Sequence, residues 1–457
     1  SACLAISFLL TLGASPLSAQ TTKPDRPDPN EIPVPEIKTS LEKMPGVDEL
    51  PAHPEMPDVL KMSDGTRVTT SQQWQRRREE MRHILEYYSM GTAPPPPGNV
   101  KGHEIHSEQL ADGKWKYRLV HLTFGPQESL GFDVGIFTPT AGGPVPAVIQ
   151  LGGPPPGATP LPRLSQGMTG GSDVLLIVGV PQRAANSLPA SGPATRGANP
   201  FGQRSAEQIA STNPAIAHGF AYVTFNYNDC GEDTTLRNPD GSWAFRTTRF
   251  YPAYPGYDWG LLRGWAWGTS RVVDYLQTDP AIDKDKLIVT GVSRLGKGAM
   301  VAGAFDERIA VVAPVASSGG GTPAFRFSGL GRGGKEGLSE MMRKYPNYWS
   351  SHLHEFWGQP EKLPFDQHFF PAMVAPRPFI ALEGTDDQNV VINGVRQTIL
   401  AARPAYELLG VKDRIGVSWA QRRHGMVQGD WDAMLAFADK CLLGKETTMK
   451  FDQFPGD

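Results

Sequence analysis

Cysteine is scarce in this sequence, with 3 residues in a chain of 457. Cys3 lies in an apolar run at the start, so a processed chain would keep Cys230 and Cys441 alone. Two thiols do not make a disulfide scaffold, and they are expected to stay unpaired. An excess of charge of one sign is also missing: 44 Lys and Arg stand against 47 Asp and Glu, a formal net charge of -3. That balance removes the electrostatic reason to expect nucleic acid or an anionic membrane as a partner. The chain has no P-loop, no Gly-x-Gly-x-x-Gly after a strand and no His-Glu-x-x-His, so no motif asks for a nucleotide, a dinucleotide or zinc. No cofactor is expected. Internal repeats are absent, and 39% hydrophobic residues with 20% charged ones describe an ordinary globular chain.

What the chain does have begins with Leu4 to Leu12, an apolar run followed by small residues up to Ala19. The run is shorter than the ~20 residues a membrane span needs, and it reads as a secretory signal peptide over residues 1–19, with its charged start preceding Ser1. The expected location is therefore secreted, periplasmic or extracellular, with no membrane contact after cleavage. Residues 20–60 are rich in Pro and charge and poor in β-branched and aromatic residues. Such a stretch cannot bury enough apolar surface to order itself, so it reads as an arm or linker ahead of one catalytic domain over residues 61–457.

Within that domain, Ser71 to Met90 carries Trp74, Met81, Ile84, Leu85 and Tyr88 at helical spacing. Tyr117 to Phe124 and Phe132 to Phe137 alternate like paired strands. The pattern then changes to short, wholly apolar runs at Ala147–Leu151, Ala221–Phe225, Leu287–Thr290, Ala310–Pro314 and Pro378–Leu382, separated by helical stretches. Runs of that kind suit parallel strands covered on both faces. The predicted fold is α/β, a doubly wound, mostly parallel sheet in a three-layer sandwich, the α/β-hydrolase fold. Trp259 to Leu276 reads as a helix whose tryptophans belong to the core. Gln182 to Gly202 reads as a long insertion bordering the site.

Leu287 to Thr290 runs into Gly291-Val292-Ser293-Arg294-Leu295-Gly296, and a helix-forming stretch follows. A strand, Gly-x-Ser-x-Gly and a helix in that order make a nucleophile elbow, where small residues let the chain turn sharply and expose the serine hydroxyl. An alcohol needs a base and a group to hold that base. His424 follows the apolar stretch Ile415 to Trp419 in a Gly-containing loop, the place of the base in this fold. His352, His354 and His368 precede the strand that would deliver the acid. That strand, Pro378 to Leu382, ends in Glu383-Gly384-Thr385-Asp386-Asp387. Asp387 is the expected acid, with Asp386 the alternative.

Gly291 through Lys297, Gly-Val-Ser-Arg-Leu-Gly-Lys, resembles the Gly-x-Ser-Arg-x-Gly-Lys signature of the glucuronoyl esterases, carbohydrate esterase family 15. Trp265-Ala266-Trp267-Gly268, Ala304-Phe305-Asp306-Glu307-Arg308, Ser318 to Gly321 and Leu363 to His368 are similar to further blocks of that family, and the likeness spans roughly Ser71 to Leu443. The resemblance implies a serine esterase that cleaves the ester joining 4-O-methyl-glucuronic acid of glucuronoxylan to lignin alcohols. It implies Ser293 as nucleophile, His424 as base, Arg294 as an oxyanion-stabilising side chain, and Lys297 and Glu336 as binders of uronate hydroxyls. Two departures accompany it. Ala310 to Pro314 leads into Val315-Ala316-Ser317-Ser318, where some members carry a catalytic Glu, and Asn389 stands where the family tends to place a sugar-binding Trp. Both leave room for other readings: a secreted carbohydrate acetyl esterase, a peptidase on the same fold, or a polysaccharide-binding protein without catalysis. The partner expected is a glucuronoxylan or lignin–carbohydrate ester, acted on by a monomer.

Overall fold

The computed structural model describes residues 43–159, 161, 204–235, 243–328 and 336–456. The 1–19 segment, most of the 20–60 arm and the Gln182 to Gly202 insertion therefore lie outside the described residues. Residues 43–60 contain no helix or strand. They lie on the domain, with Val59 and Leu60 buried and the Tyr88 hydroxyl donating to the Pro45 carbonyl at 2.7 Å.

Among the described residues nine strands form one sheet: β1 Lys101–Leu110, β2 Trp115–Phe124, β3 Leu130–Pro139, β4 Val145–Gly152, β5 Ala221–Asn226, β6 Ile282–Val292, β7 Ile309–Val315, β8 Phe379–Gly384 and β9 Ile415–Ala420. Their order is β1-β2-β3-β5-β4-β6-β7-β8-β9. The first three are antiparallel, β3 pairs antiparallel with β5, and the rest are parallel. Two-residue periodicity in strands requires that both faces of these apolar runs be covered. One face meets α1 Ser71–Leu85, α4 Leu261–Leu276, α5 Arg294–Phe305, α6 Leu338–Lys344, α7 Phe369–Val374 and α8 Ile392–Leu408; the other meets α2 Ala206–Thr212, α3 Pro214–Ala217 and α9 Gln428–Leu443. The arrangement is the doubly wound three-layer sandwich of an α/β-hydrolase.

The helix read over Ser71 to Met90 is α-helical to Leu85 and finishes in a π-turn over Glu86–Met90. Its start is fixed by a capping box in which the Thr70 hydroxyl accepts from the Gln73 amide. Trp259, Trp265 and Trp267 are all buried, as expected: Trp265 meets Tyr227 edge-on, Trp259 meets Trp267 edge-on, and Phe250 lies tilted against Trp259. β1 was not foreseen. Nine of its ten residues are exposed, so it has no buried face to impose an alternating pattern. At the opposite border the outward N–H of Val417 in β9 donates to the Phe451 carbonyl at 2.7 Å, and Gly416 lets the tail approach closely.

No helix among the described residues is long and apolar enough to cross a membrane. Cys230 and Cys441 are both free thiols, the first wholly buried.

Candidate active site

β6 lies in the sheet interior, flanked by β4 and β7, and its last residue passes directly into Ser293. Ser293 has φ 60° and ψ -123°, a left-handed conformation that a residue with a Cβ adopts at a cost of about 1–3 kcal/mol. Two backbone hydrogen bonds hold it there: Ser293 N–H donates to the Val315 carbonyl at 2.9 Å, and Lys297 N–H donates to the Ser293 carbonyl at 3.1 Å. The flanking glycines are steric necessities. A Cβ on Gly291 would sit 2.5 Å from the Leu295 carbonyl oxygen, and one on Gly296 would sit 2.9 Å from that of Val315. Sequence and strain together mark Ser293 as the residue around which the elbow is built.

The candidate acid and base follow β8 and β9, the last two strands of the sheet. β8 leads into a turn in which Asp387 N–H donates to the Gly384 carbonyl, and Asn389 N–H donates to Asp387 Oδ1 at 2.9 Å. β9 leads into the loop that carries His424. Nδ1 of His424 lies 2.7 Å from Oδ2 of Asp387, and because an ionised carboxylate only accepts, the ring nitrogen is the donor. Burial raises the Asp387 pKa, but the hydrogen bonds from His424 and Asn389, with the charges of His424 and Arg422, outweigh it and leave the carboxyl below its ordinary value. His424 is one-third exposed while the Asp387 side chain is fully buried, so the imidazole has one wet edge. The Asp386 side chain makes no hydrogen bond to His424.

Arg422 pins the loop that carries His424. Its guanidinium forms a fork with Asp430, Nε to Oδ2 at 2.7 Å and Nη2 to Oδ1 at 3.0 Å, and Nη2 also donates to the Leu382 carbonyl at 3.1 Å. The residues around the elbow are equally engaged. Arg294 ion-pairs with Asp233 and lies over the ring of Tyr345. Lys297 is inside the protein, its ammonium donating to the Ser317 carbonyl at 2.5 Å and the Ser318 hydroxyl at 3.2 Å. Burial lowers its pKa to about 8 against the opposing pull of the Glu336 charge. Glu336 accepts from the Gly319 amide at 3.0 Å. Asn389 is half-buried in the acid turn.

Asp233, Tyr348, Glu383, Arg422 and Asp430 were not singled out from the sequence. For Asp233 a signal existed: it follows the carboxyl end of β5, where sites gather in open α/β sheets. Glu383 was visible only as part of the acid loop, yet its side chain is fully buried at the end of β8. Neither of its carboxyl oxygens has a hydrogen-bond partner among the described residues. No group of three or more His, Cys, Asp or Glu side chains among those residues is arranged to hold a metal ion. What the arrangement offers is a half-buried serine on a strained turn, a histidine held by a carboxylate, and an arginine next to the serine in the chain, the residue types that acyl transfer uses.

Comparison with known proteins points the same way. A family profile described as glucuronyl esterase, fungi, matches residues 191–410, a stretch that includes Ser293 and Asp387 and stops before His424. A carbohydrate esterase from an unknown prokaryotic organism is 28% identical over 408 residues, which cover 85% of this chain and 90% of that protein. A 4-O-methyl-glucuronoyl methylesterase of Hypocrea jecorina is 27% identical over 417 residues, 88% of this chain and 73% of that protein. Among solved structures, a promiscuous esterase of carbohydrate esterase family 15 from a marine bacterial metagenome superposes with a TM-score of 0.66 at 25% identity, over 87% of this chain and 99% of that one.

Proposed function

Because the chain belongs to the glucuronoyl esterases of carbohydrate esterase family 15, which are carboxylic ester hydrolases, we propose that it hydrolyses the ester between 4-O-methyl-glucuronic acid of glucuronoxylan and lignin alcohols, as a secreted enzyme. Ser293 Oγ attacks the uronoyl carbonyl while His424 takes its proton through the ring nitrogen that does not face Asp387. Asp387 holds the imidazole in that tautomer and stabilises the cation that forms. Arg294 and backbone N–H groups stabilise the tetrahedral oxyanion, a contribution typically of about 3–4 kcal/mol per donor. The alkoxide leaves with the proton from His424, giving the free alcohol and an ester of Ser293. Water, deprotonated by the same histidine, then releases the uronic acid and restores the serine. Lys297, Glu336 and Asn389 form the side of the site that meets the uronate hydroxyls.

The observation that carries this reading is the 2.7 Å contact between His424 and Asp387, two loops after the elbow and in the chain order Ser, acid, His. The test is hydrolysis of glucuronic acid methyl and benzyl esters, compared with a galacturonate methyl ester, an acetylated sugar and the Ser293→Ala variant. Turnover of glucuronate esters that vanishes with Ser293 is the expected result. Acetate release alone would make the protein a carbohydrate acetyl esterase, and inactivity on every ester would remove the catalytic reading.

A further inference from the structure

The side chain assigned to the oxyanion is not held by its own helix. Arg294 is the first residue of α5, and its side chain is 41% exposed, so water alone would leave a long, flexible cation free to sample many rotamers. A donor contributes to an oxyanion site only when it is aimed before the charge develops. The aim comes from residues distant in sequence. Asp233 is almost fully buried and places Oδ2 against Nη1 of Arg294. Its other oxygen accepts from the Tyr348 hydroxyl at 2.6 Å, and its own amide donates to the Asn228 side chain at 2.9 Å, so the carboxylate has no rotational freedom left.

Tyr348 is equally fixed. It is 1% exposed, stacks on Tyr345 with ring centroids 4.6 Å apart and an interplanar angle of 21°, and meets Trp265 edge-on at 5.4 Å. The same Tyr345 ring lies beneath the Arg294 guanidinium, 5.7 Å from its central carbon. Arg294 is thus held from one side by a carboxylate and from another by an aromatic face, and both supports rest on Tyr348. Among the described residues its only hydrogen bond uses Nη1, which leaves Nε and Nη2 for an incoming acceptor. The hydroxyl of Tyr348 has a second effect. By donating to Asp233 it draws negative charge away from the carboxylate that would otherwise oppose an oxyanion nearby.

We infer that Asp233 and Tyr348 are positioning residues that aim the Arg294 guanidinium at the transition-state oxyanion. The inference rests on the role given to Arg294 above. It is tested by a double-mutant cycle on hydrolysis of glucuronic acid benzyl ester, using Asp233→Ala and Tyr348→Phe in the wild-type and Arg294→Ala backgrounds, with folding checked by thermal melting. Arg294→Ala is expected to lower kcat about a hundredfold. Asp233→Ala should lower it about tenfold to a hundredfold with KM changed less than about threefold, and Tyr348→Phe about threefold to tenfold, because a misaimed donor is lost only in the transition state. In the Arg294→Ala background both further losses should shrink to within about twofold, since there is no guanidinium left to aim. Equal losses in the two backgrounds would overturn the inference, as would full activity of both variants in the wild-type background. Should Asp233→Ala fail to fold, Tyr348→Phe removes one oxygen and keeps the ring stack, so its cycle alone decides. Near wild-type kcat for Arg294→Ala would instead sink the oxyanion role and this inference with it. If the chain cleaves only acetyl esters, the same cycle on that substrate keeps failure of the aiming separate from failure of the substrate reading.

Discussion

The backbone N–H of Asp386 donates to the carbonyl oxygen of Arg422 at 3.1 Å, so the loop that carries Asp387 and the loop that carries His424 are joined before their side chains meet. Thr385 N–H adds a second link to the Ala420 carbonyl at 3.0 Å. The short contact between His424 and Asp387 is therefore a product of backbone geometry, and Asp386 contributes to it through its main chain.

That division of labour separates two adjacent aspartates. Asp387→Asn is expected to lower kcat by about 10³–10⁴-fold, because an amide supports the wrong imidazole tautomer. Asp386→Asn keeps the same backbone N–H and should stay within about threefold of the wild type. Steady-state kinetics on one glucuronate ester decides; comparable losses in the two variants would remove the assignment of the acid.

Breaking the Arg422–Asp430 fork should affect both stability and rate. Both side chains are nearly inaccessible, at 4% and 2%, and Arg422→Ala would leave a buried carboxylate without its partner. Such losses typically cost about 3–5 kcal/mol, read as a lower urea midpoint. Because Arg422 also ties the loop that carries His424 to Leu382, kcat should fall further than the unfolded fraction explains. An unchanged midpoint would show that the pair contributes nothing.

Glu383 gives a pH prediction with a defined sign. Burial raises its pKa from the ordinary 4.5 to about 8, helped by the charges of Asp387 and Asp430 and opposed by that of Arg422. The native state thus binds a proton that the unfolded chain has released between those values, and the stability this provides is complete below pH 4.5 and lost as pH rises through about 8. Glu383→Gln cannot ionise, so between those limits the wild type should lose on the order of a few kcal/mol relative to the variant. Urea melts at pH 5 and pH 9 measure it. Parallel stability curves would mean that Glu383 is ionised in the folded protein throughout.

The sequence made some of these residues legible and hid others for physical reasons. Gly291, Ser293 and Gly296 act within one turn, so their spacing survives as a pattern, and the apolar runs of β4 to β8 survive because both faces of each strand are buried. Asp387 and His424 were singled out through the order of strands that the fold imposes, and their side chains lie in contact. Asp233 carries only the weak trace of following the carboxyl end of β5, and Tyr348 carries none. Asp233 reaches Arg294 directly from 61 residues before it, Tyr348 reaches it through Asp233 from 54 residues after it, and nothing periodic connects them. The Lys297 ammonium was likewise hard to foresee, since helical spacing gives its face and leaves open whether it turns outward or, as here, toward the Ser317 carbonyl. β1 escaped because an exposed strand leaves no hydrophobic signature.

The two borders of the sheet are guarded by unlike means. A strand at an edge is a template on which another chain can grow, and long open edges invite it. At β9 the protein closes the template with its own tail, through Val417 and Phe451. At β1 it relies on Lys101, Glu104, His106 and Glu108 exposed along the strand and on a break in register between Glu104 and His106. One border is sealed and the other is made unwelcoming by charge and irregularity. Truncation of the tail and neutralisation of the β1 charges would thus expose the chain to the same hazard, self-association through main-chain hydrogen bonds, at opposite borders of the sheet and without touching Ser293, Asp387 or His424.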